Sequence, residues 1–153
     1  MKRGDVRPCH AVHVTIASRE PDRTRSLSEL SARLNSLQGA GYAEVWVDHD
    51  PYPSLCVLVN GDSAWLMCLR YDGDAGFSSR NPAYDGDGDA TIEYYLSNGQ
   101  RDVYPAVWTY PTERALAAVE AFARDRRVPD WIDWFNDSGD GRSSPNDPWD
   151  AAS

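Results

Sequence analysis

Apolar residues along the chain recur in two different periods. Val12, Val14 and Ile16 alternate with Ala11, His13 and Thr15, the period of a half-buried strand over 11–17, with His13 pointing away from the core. Ser26-Leu27-Ser28-Glu29 then reads as a capping box, and Leu27, Leu30, Leu34 and Leu37 follow at helical spacing until Gly39 stops them. An amphipathic helix of about three turns is predicted there. Alternation resumes over Tyr42–Asp48, breaks at Pro51 and Pro53, and gives way to the apolar run Ser54–Asn60. Asn60-Gly61 joins that run to Asp62–Tyr71, a strong short-range hairpin signal.

Residues 72–90, DGDAGFSSRNPAYDGDGDA, show no periodicity and hold five Asp and one Pro among their glycines. A connection of that length inside a domain is usually functional or disordered. Thr91–Gly99 and Gln100–Tyr110 form a second strand pair around Asn98-Gly99. Pro111 suits the first position of a helix, and the segment after it carries Leu116, Val119, Phe122 and Ala123 toward one side until Pro129. A short aromatic segment with Trp131, Trp134 and Phe135 follows. From Ser138 to Ser153 the largest aliphatic is Ala, so the expected division is one domain over 1–137 and a disordered tail over 138–153. The order of strand, helix, five strands and helix predicts an α+β fold. Its mainly antiparallel sheet has about five to six strands, covered on one face by two helices.

Composition refines this picture. Length alone, 153 residues, suits one domain. Leu, Ile, Val and Phe number only 27, about 18% of the chain, a level that with high net charge warns of disorder. The 17 aromatics, including 6 Trp and 8 Tyr, remove the warning, because each buries roughly 150–250 Å². The basic N-terminal stretch is not followed by an apolar run of about seven, so no secretory signal is read. No stretch approaches the roughly 20 apolar residues of a membrane span. A soluble cytoplasmic protein without a membrane partner is expected. Cys9, Cys56 and Cys68 form no CxxC pair and stand near no metal-spaced His; Cys56 and Cys68 fall in strand patterns as small buried hydrophobes.

Candidate chemistry is sparse. Asp85, Asp87 and Asp89 have the alternate spacing of a calcium loop, but Ala90 stands where such a loop needs Gly and Leu96 where it needs a bidentate Glu. His10, His13 and His49 lie in no nucleophile motif, and nothing resembles a dinucleotide or Walker loop. No cofactor, metal or catalytic residue is assigned. The alternative kept open is a small calcium-binding or hydrolytic protein using the Asp-rich loop. Trp46 and Trp65 read as core. Trp108, Trp131 and Trp134, with Tyr104, Tyr110 and Phe135, either pin the last helix to the sheet or anchor an interface.

Charge is segregated as well as negative. The formal net charge is −9. Residues 1–38 hold seven basic against four acidic side chains, residues 39–100 two against ten, and residues 101–153 six against ten. That field excludes a nucleic-acid binder, which needs cations to displace phosphate counterions. Arg80 is the single cation between Asp72 and Asp89, so this stretch suits the steering of a basic protein partner. The interface residues expected on this argument are Asp72, Asp74, Phe77, Asp85, Asp87 and Asp89, with Tyr84 as an aromatic anchor.

Several ordered pieces then resemble a known family. The GFSS turn, the EYYLSNGQ hairpin, the strand ending at Tyr104-Pro105, the proline-started helix and the PDWIDW ending resemble the immunity protein 1 family of bacterial polymorphic toxin systems. The resemblance covers roughly Tyr42 to Phe135. It implies a non-enzymatic antidote that forms a heterodimer with a cognate toxin and blocks it. Such toxins are commonly nucleic-acid deaminases. A deaminase surrounds its zinc pocket with a basic groove, into which an acidic loop fits as a phosphate mimic.

Overall fold

A strand that reads SLCVLVN offers water no polar face, so both of its faces need a cover. In the computed structural model the chain supplies one from each side. The structure describes residues 13–17, 22–24, 32, 35, 41–49 and 52–147, with side chains outside the description at 13–17 and 22–24. Its strands are β1 (His13–Ala17), β2 (Asp22–Thr24), β3 (Tyr42–Asp48), β4 (Ser54–Asn60), β5 (Ser63–Leu69), β6 (Phe77–Arg80), β7 (Thr91–Tyr95), β8 (Arg101–Pro105), β9 (Tyr110–Pro111) and β10 (Asp133–Asn136). A 3-10 turn spans Ala106–Trp108, and helix α1 spans Thr112–Asp125. The main sheet runs β10-β6-β5-β4-β3-β1-β2, with β9 also on β5, and every pairing is antiparallel.

Alternation divides the central strands between two cores. Leu55, Val57 and Val59 of β4 point to one face with Val45, Val47, Leu66 and Cys68, where Leu116, Val119 and Phe122 of α1 cover them. Cys56 and Leu58 point to the other face with Trp65, and there Tyr94, Ile92, Leu96, Tyr104 and Trp108 close over them. The second strand pair expected in the sheet is therefore a separate two-stranded β7–β8 sheet laid across its face. Its inward side chains are large and apolar, so they bury more area as a cover than at a sheet edge. Tyr104 stacks on Trp65 with centroids 4.0 Å apart and planes 4° from parallel.

Turns and ends follow local chemistry. Asn60 pairs with Ser63, so the β4–β5 loop is Gly61-Asp62, and Gly61 carries the positive φ of 60° that a type II′ turn places first. Gly99, at φ 91°, closes the longer β7–β8 turn. Pro111 is extended, with ψ 140°, and forms part of β9, so the helix begins one residue later than expected. Thr112 ties that start to the hairpin, its hydroxyl donating to the Gly61 carbonyl at 2.8 Å. The helix ends at Arg126 in the left-handed conformation, φ 61°.

Three features depart from the linear pattern. Strand β6 lies inside the aperiodic 72–90 stretch, and β10 pairs with it through Phe135↔Ser78 and Trp134↔Ser79. Both are four residues long, too short for periodicity to register. The helix expected over Ser26–Gln38 lies outside the described residues except for Ala32 and Asn35, which are helical and exposed; Cys9 and His10 also lie outside. Residues 138–147, assigned by composition to a tail, are tied to the domain: Asp140 takes a hydrogen bond from Arg70 Nη1 at 2.6 Å, and Asn146 bonds both backbone groups of Val128. Polar pairing does for this segment what apolar burial does elsewhere. Residues 148–153 lie outside the described residues.

One carboxylate locks the hairpin to the sheet. Glu44 is buried, accepting from the Trp46 indole N–H at 2.7 Å and from the Ser97 backbone N–H at 2.8 Å. Burial alone raises a carboxyl pKa, but these donors outweigh it and hold Glu44 below its ordinary value. Glu44→Gln should cost about 1–3 kcal/mol at pH 7 in urea unfolding, because the amide has one accepting oxygen and turns its NH2 toward the other N–H donor. A depressed folded pKa contributes stability above the unfolded value and loses it as pH falls through the folded one. The gap between wild type and variant should therefore close in acid.

Candidate partner-binding surface

The acidic stretch is two sites rather than one. Strand β6 separates the 70–76 turn from the 81–90 loop by about 13 Å of extended chain. In the turn, Asp74 is buried and Phe77 just beyond it is fully buried, so neither faces a partner; this corrects the surface expected from sequence. Asp74 forks the Arg70 guanidinium, accepting from Nε and Nη2 at 2.8 Å each, and also accepts from the Arg70 and Gly76 backbone N–H groups. Arg70 completes its set with Asp140 and with Ser138 Oγ at 3.1 Å, and its guanidinium lies 4.9 Å from the Phe77 ring centroid. The Asp74 hydrogen bonds raise the Arg70 pKa. Burial pushes Asp74 up, but Arg70 and the two N–H donors outweigh it and leave it lowered. Asp72 remains exposed, 3.4 Å from the Tyr52 hydroxyl.

The 81–90 loop presents the remaining carboxylates. Asn81 anchors its start, with the backbone N–H on the Val107 carbonyl at 3.0 Å and the side-chain amide on the Thr109 carbonyl at 2.9 Å. Ala106 N–H reaches the Ala90 carbonyl at 2.9 Å and anchors its end. Between them half-buried Tyr84 donates to the Asp87 carbonyl at 3.2 Å. Gly86 fits under this ring because a Cβ there would lie 2.5 Å from the Tyr84 oxygen. Asp87 Oδ1 accepts from the Asp89 N–H at 2.9 Å. Asp85, Asp87 and Asp89 are exposed. Tyr84 thus braces the loop from inside.

Beside the loop stands a group absent from the residues expected on charge. Arg80 points to the hairpin side of the sheet between Trp108, 3.6 Å from its guanidinium carbon, and Phe135, 4.7 Å away. A lone arginine in an acidic stretch and an aromatic ending were visible in sequence, but the pairing of β6 with β10 brings them together. Trp131, also exposed, lies apart under Arg114 at 4.2 Å.

The described cysteines, Cys56 and Cys68, and His49 are buried. Burial pushes the Cys68 thiol up to about 12, so its thiolate is scarce at neutral pH. His49 Nε2 lies 2.8 Å from the Phe122 carbonyl at the end of α1. Among the described residues, no group of three or more His, Cys, Asp or Glu side chains is placed to hold a metal ion. No helix among them is long and apolar enough to cross a membrane.

The family model described as Immunity protein Imm1 matches residues 18–136. The chain belongs to the Imm1 immunity protein family. That match extends further toward the N-terminus than the Tyr42–Phe135 resemblance, and it contains the 81–90 loop, Arg80, Trp108 and Phe135. No match is found among curated proteins. Within this Imm1 domain Asp74 serves the fold and Asp85, Asp87 and Asp89 the surface. Asp74→Ala should therefore lower stability by about 3–5 kcal/mol in denaturant titration, the cost of stranding a buried arginine. Asp140→Ala should cost less, since its carboxylate is partly solvated.

Proposed function

We propose that this Imm1 protein neutralises a cognate toxin by binding it as a heterodimer and covering its active site. The observation that carries the reading is the braced 81–90 loop, which holds Asp85, Asp87 and Asp89 toward solvent in a chain of the Imm1 family. The toxin class that fits best is a nucleic-acid deaminase of a polymorphic toxin system. Such an enzyme holds phosphates with cationic side chains around a pocket for an extruded base. A fixed row of carboxylates meets those cations, and the domain behind it blocks the path of substrate. The action needs no catalytic group and takes place in the cytoplasm, where the toxin meets nucleic acid.

Bracing matters energetically. A loop ordered before binding spends little conformational entropy on association, so more of its interaction appears as affinity. Its charge acts mainly on the encounter rate, because exposed ions attract across a Debye length of about 8 Å at physiological salt.

Co-expression with the toxin domain encoded beside it should rescue cells, and the two proteins should co-elute. A toxin that stays lethal and elutes alone would remove the reading. Replacing Asp85, Asp87 and Asp89 by Lys should lower the association rate about tenfold or more at low salt and flatten its salt dependence. Unchanged association kinetics in stopped flow would place the contact away from this loop.

A further inference from the structure

Arg70 and Arg80 are the two arginines drawn out of solvent among the residues whose side chains are described. Their surroundings differ in one respect. Arg70 is met by the carboxylates of Asp74 and Asp140. Arg80 has no carboxylate within ion-pair distance among the described residues, although the chain carries 24 acidic side chains. Desolvation lowers its pKa, with only the more distant Asp137 acting in the other direction.

The guanidinium is nonetheless held in a defined orientation. Nη1 donates to the Ser78 hydroxyl at 3.1 Å and to the Ser79 carbonyl at 2.8 Å, and the Ser78 hydroxyl donates onward to Asp137 Oδ2 at 2.8 Å. Trp108 and Phe135 lie against the guanidinium. The Nε and Nη2 donors are left without a partner among the described residues. These two form the side-on fork that matches both oxygens of a carboxylate. Phe135 beside it is 51% exposed, the most exposed of the large hydrophobic side chains described.

Resting on the proposed toxin-blocking role, we propose that Arg80, clamped by Trp108 and Phe135, is the anchoring contact of the interface and takes a carboxylate side chain of the toxin. A desolvated, oriented cation lacking its counter-charge gains most from an anion delivered by a partner, and exclusion of water by the two rings strengthens the pair. Phe135 loses its exposed face to the same partner. The loop beginning at Asn81, next in the chain, steers the encounter, and the Arg80 clamp holds the complex afterwards. The two contacts have opposite charge, so the toxin face that fits them carries a basic groove with an acidic residue at its rim.

Kinetics on the full chain and its cognate toxin domain separate these roles. Arg80→Lys keeps the charge but loses the fork and the stacking plane, and Phe135→Ala removes an exposed ring. Each should raise the dissociation rate at least tenfold, with the association rate within about twofold of wild type and the melting temperature unchanged. Trp131→Ala, on the separate Arg114 pair, should change neither rate. Wild-type dissociation rates in both Arg80→Lys and Phe135→Ala would overturn the anchoring role while leaving toxin blocking intact. A tenfold faster dissociation in Trp131→Ala alone would overturn it in favour of the helix end. Wild-type protein that neither binds nor protects would remove the toxin-blocking reading itself, and the anchor with it.

Discussion

The need to keep β4 dry on both faces governs this molecule. A strand with Leu55, Val57 and Val59 on one side and Cys56 and Leu58 on the other cannot face water on either. Each uncovered residue of this kind forfeits about 1.5–3 kcal/mol of burial. Helix α1 covers one side and the β7–β8 hairpin the other. Because the hairpin must cross the sheet to do so, the chain from β6 needs a connection that climbs onto that face. The 81–90 loop is this connection, and its exposed position follows from packing before any partner is considered.

Rigidity in the loop comes from the same requirement. Its two ends are fixed by backbone hydrogen bonds to Ala106 and Val107 of the 3-10 turn, and that turn carries Trp108 into the hairpin-side core. Ser79 reinforces the seam: its hydroxyl accepts from Leu66 N–H at 3.1 Å and donates to the Trp108 carbonyl at 2.8 Å. Tyr84 then fills the inside of the loop, leaving the carboxylates outside. Mutual repulsion among them is tolerated because each is solvated, where like charges cost little.

Acidic residues in this chain therefore do two kinds of work, and burial separates them. Glu44 and Asp74 are buried acceptors whose donors are protein groups, and they hold the hairpin and the 70–76 turn in place. Asp85, Asp87 and Asp89 are exposed and leave most of their acceptor capacity to solvent. The arginines divide in a parallel way. Arg70 fastens the 138–147 segment to the domain, whereas Arg80 is stacked and oriented with its outer fork open.

Much of this was legible before any coordinate. Alternation located β3 and a continuous apolar run located β4, the Asn-Gly turns located both hairpins, and helical spacing located α1, because all are local consequences of side-chain pattern and turn chemistry. The net acidity and its concentration in mid-chain were equally plain, and the order of short motifs was enough to indicate the Imm1 family. Tertiary structure decided which carboxylates meet solvent. Asp74 and Phe77 looked like surface residues because their neighbours are Gly and Asp, yet a buried arginine and the antiparallel pairing of β5 with β6 draw them inside. Only the same pairing, extended from β6 to β10, sets Phe135 against Arg80 across 54 intervening residues of chain. Sequence determined the longer strands and helix α1, since their period is set by neighbours a few residues away, but not the four-residue strands β6 and β10. It did not determine which residues form the surface, since that depends on contacts between segments far apart in the chain.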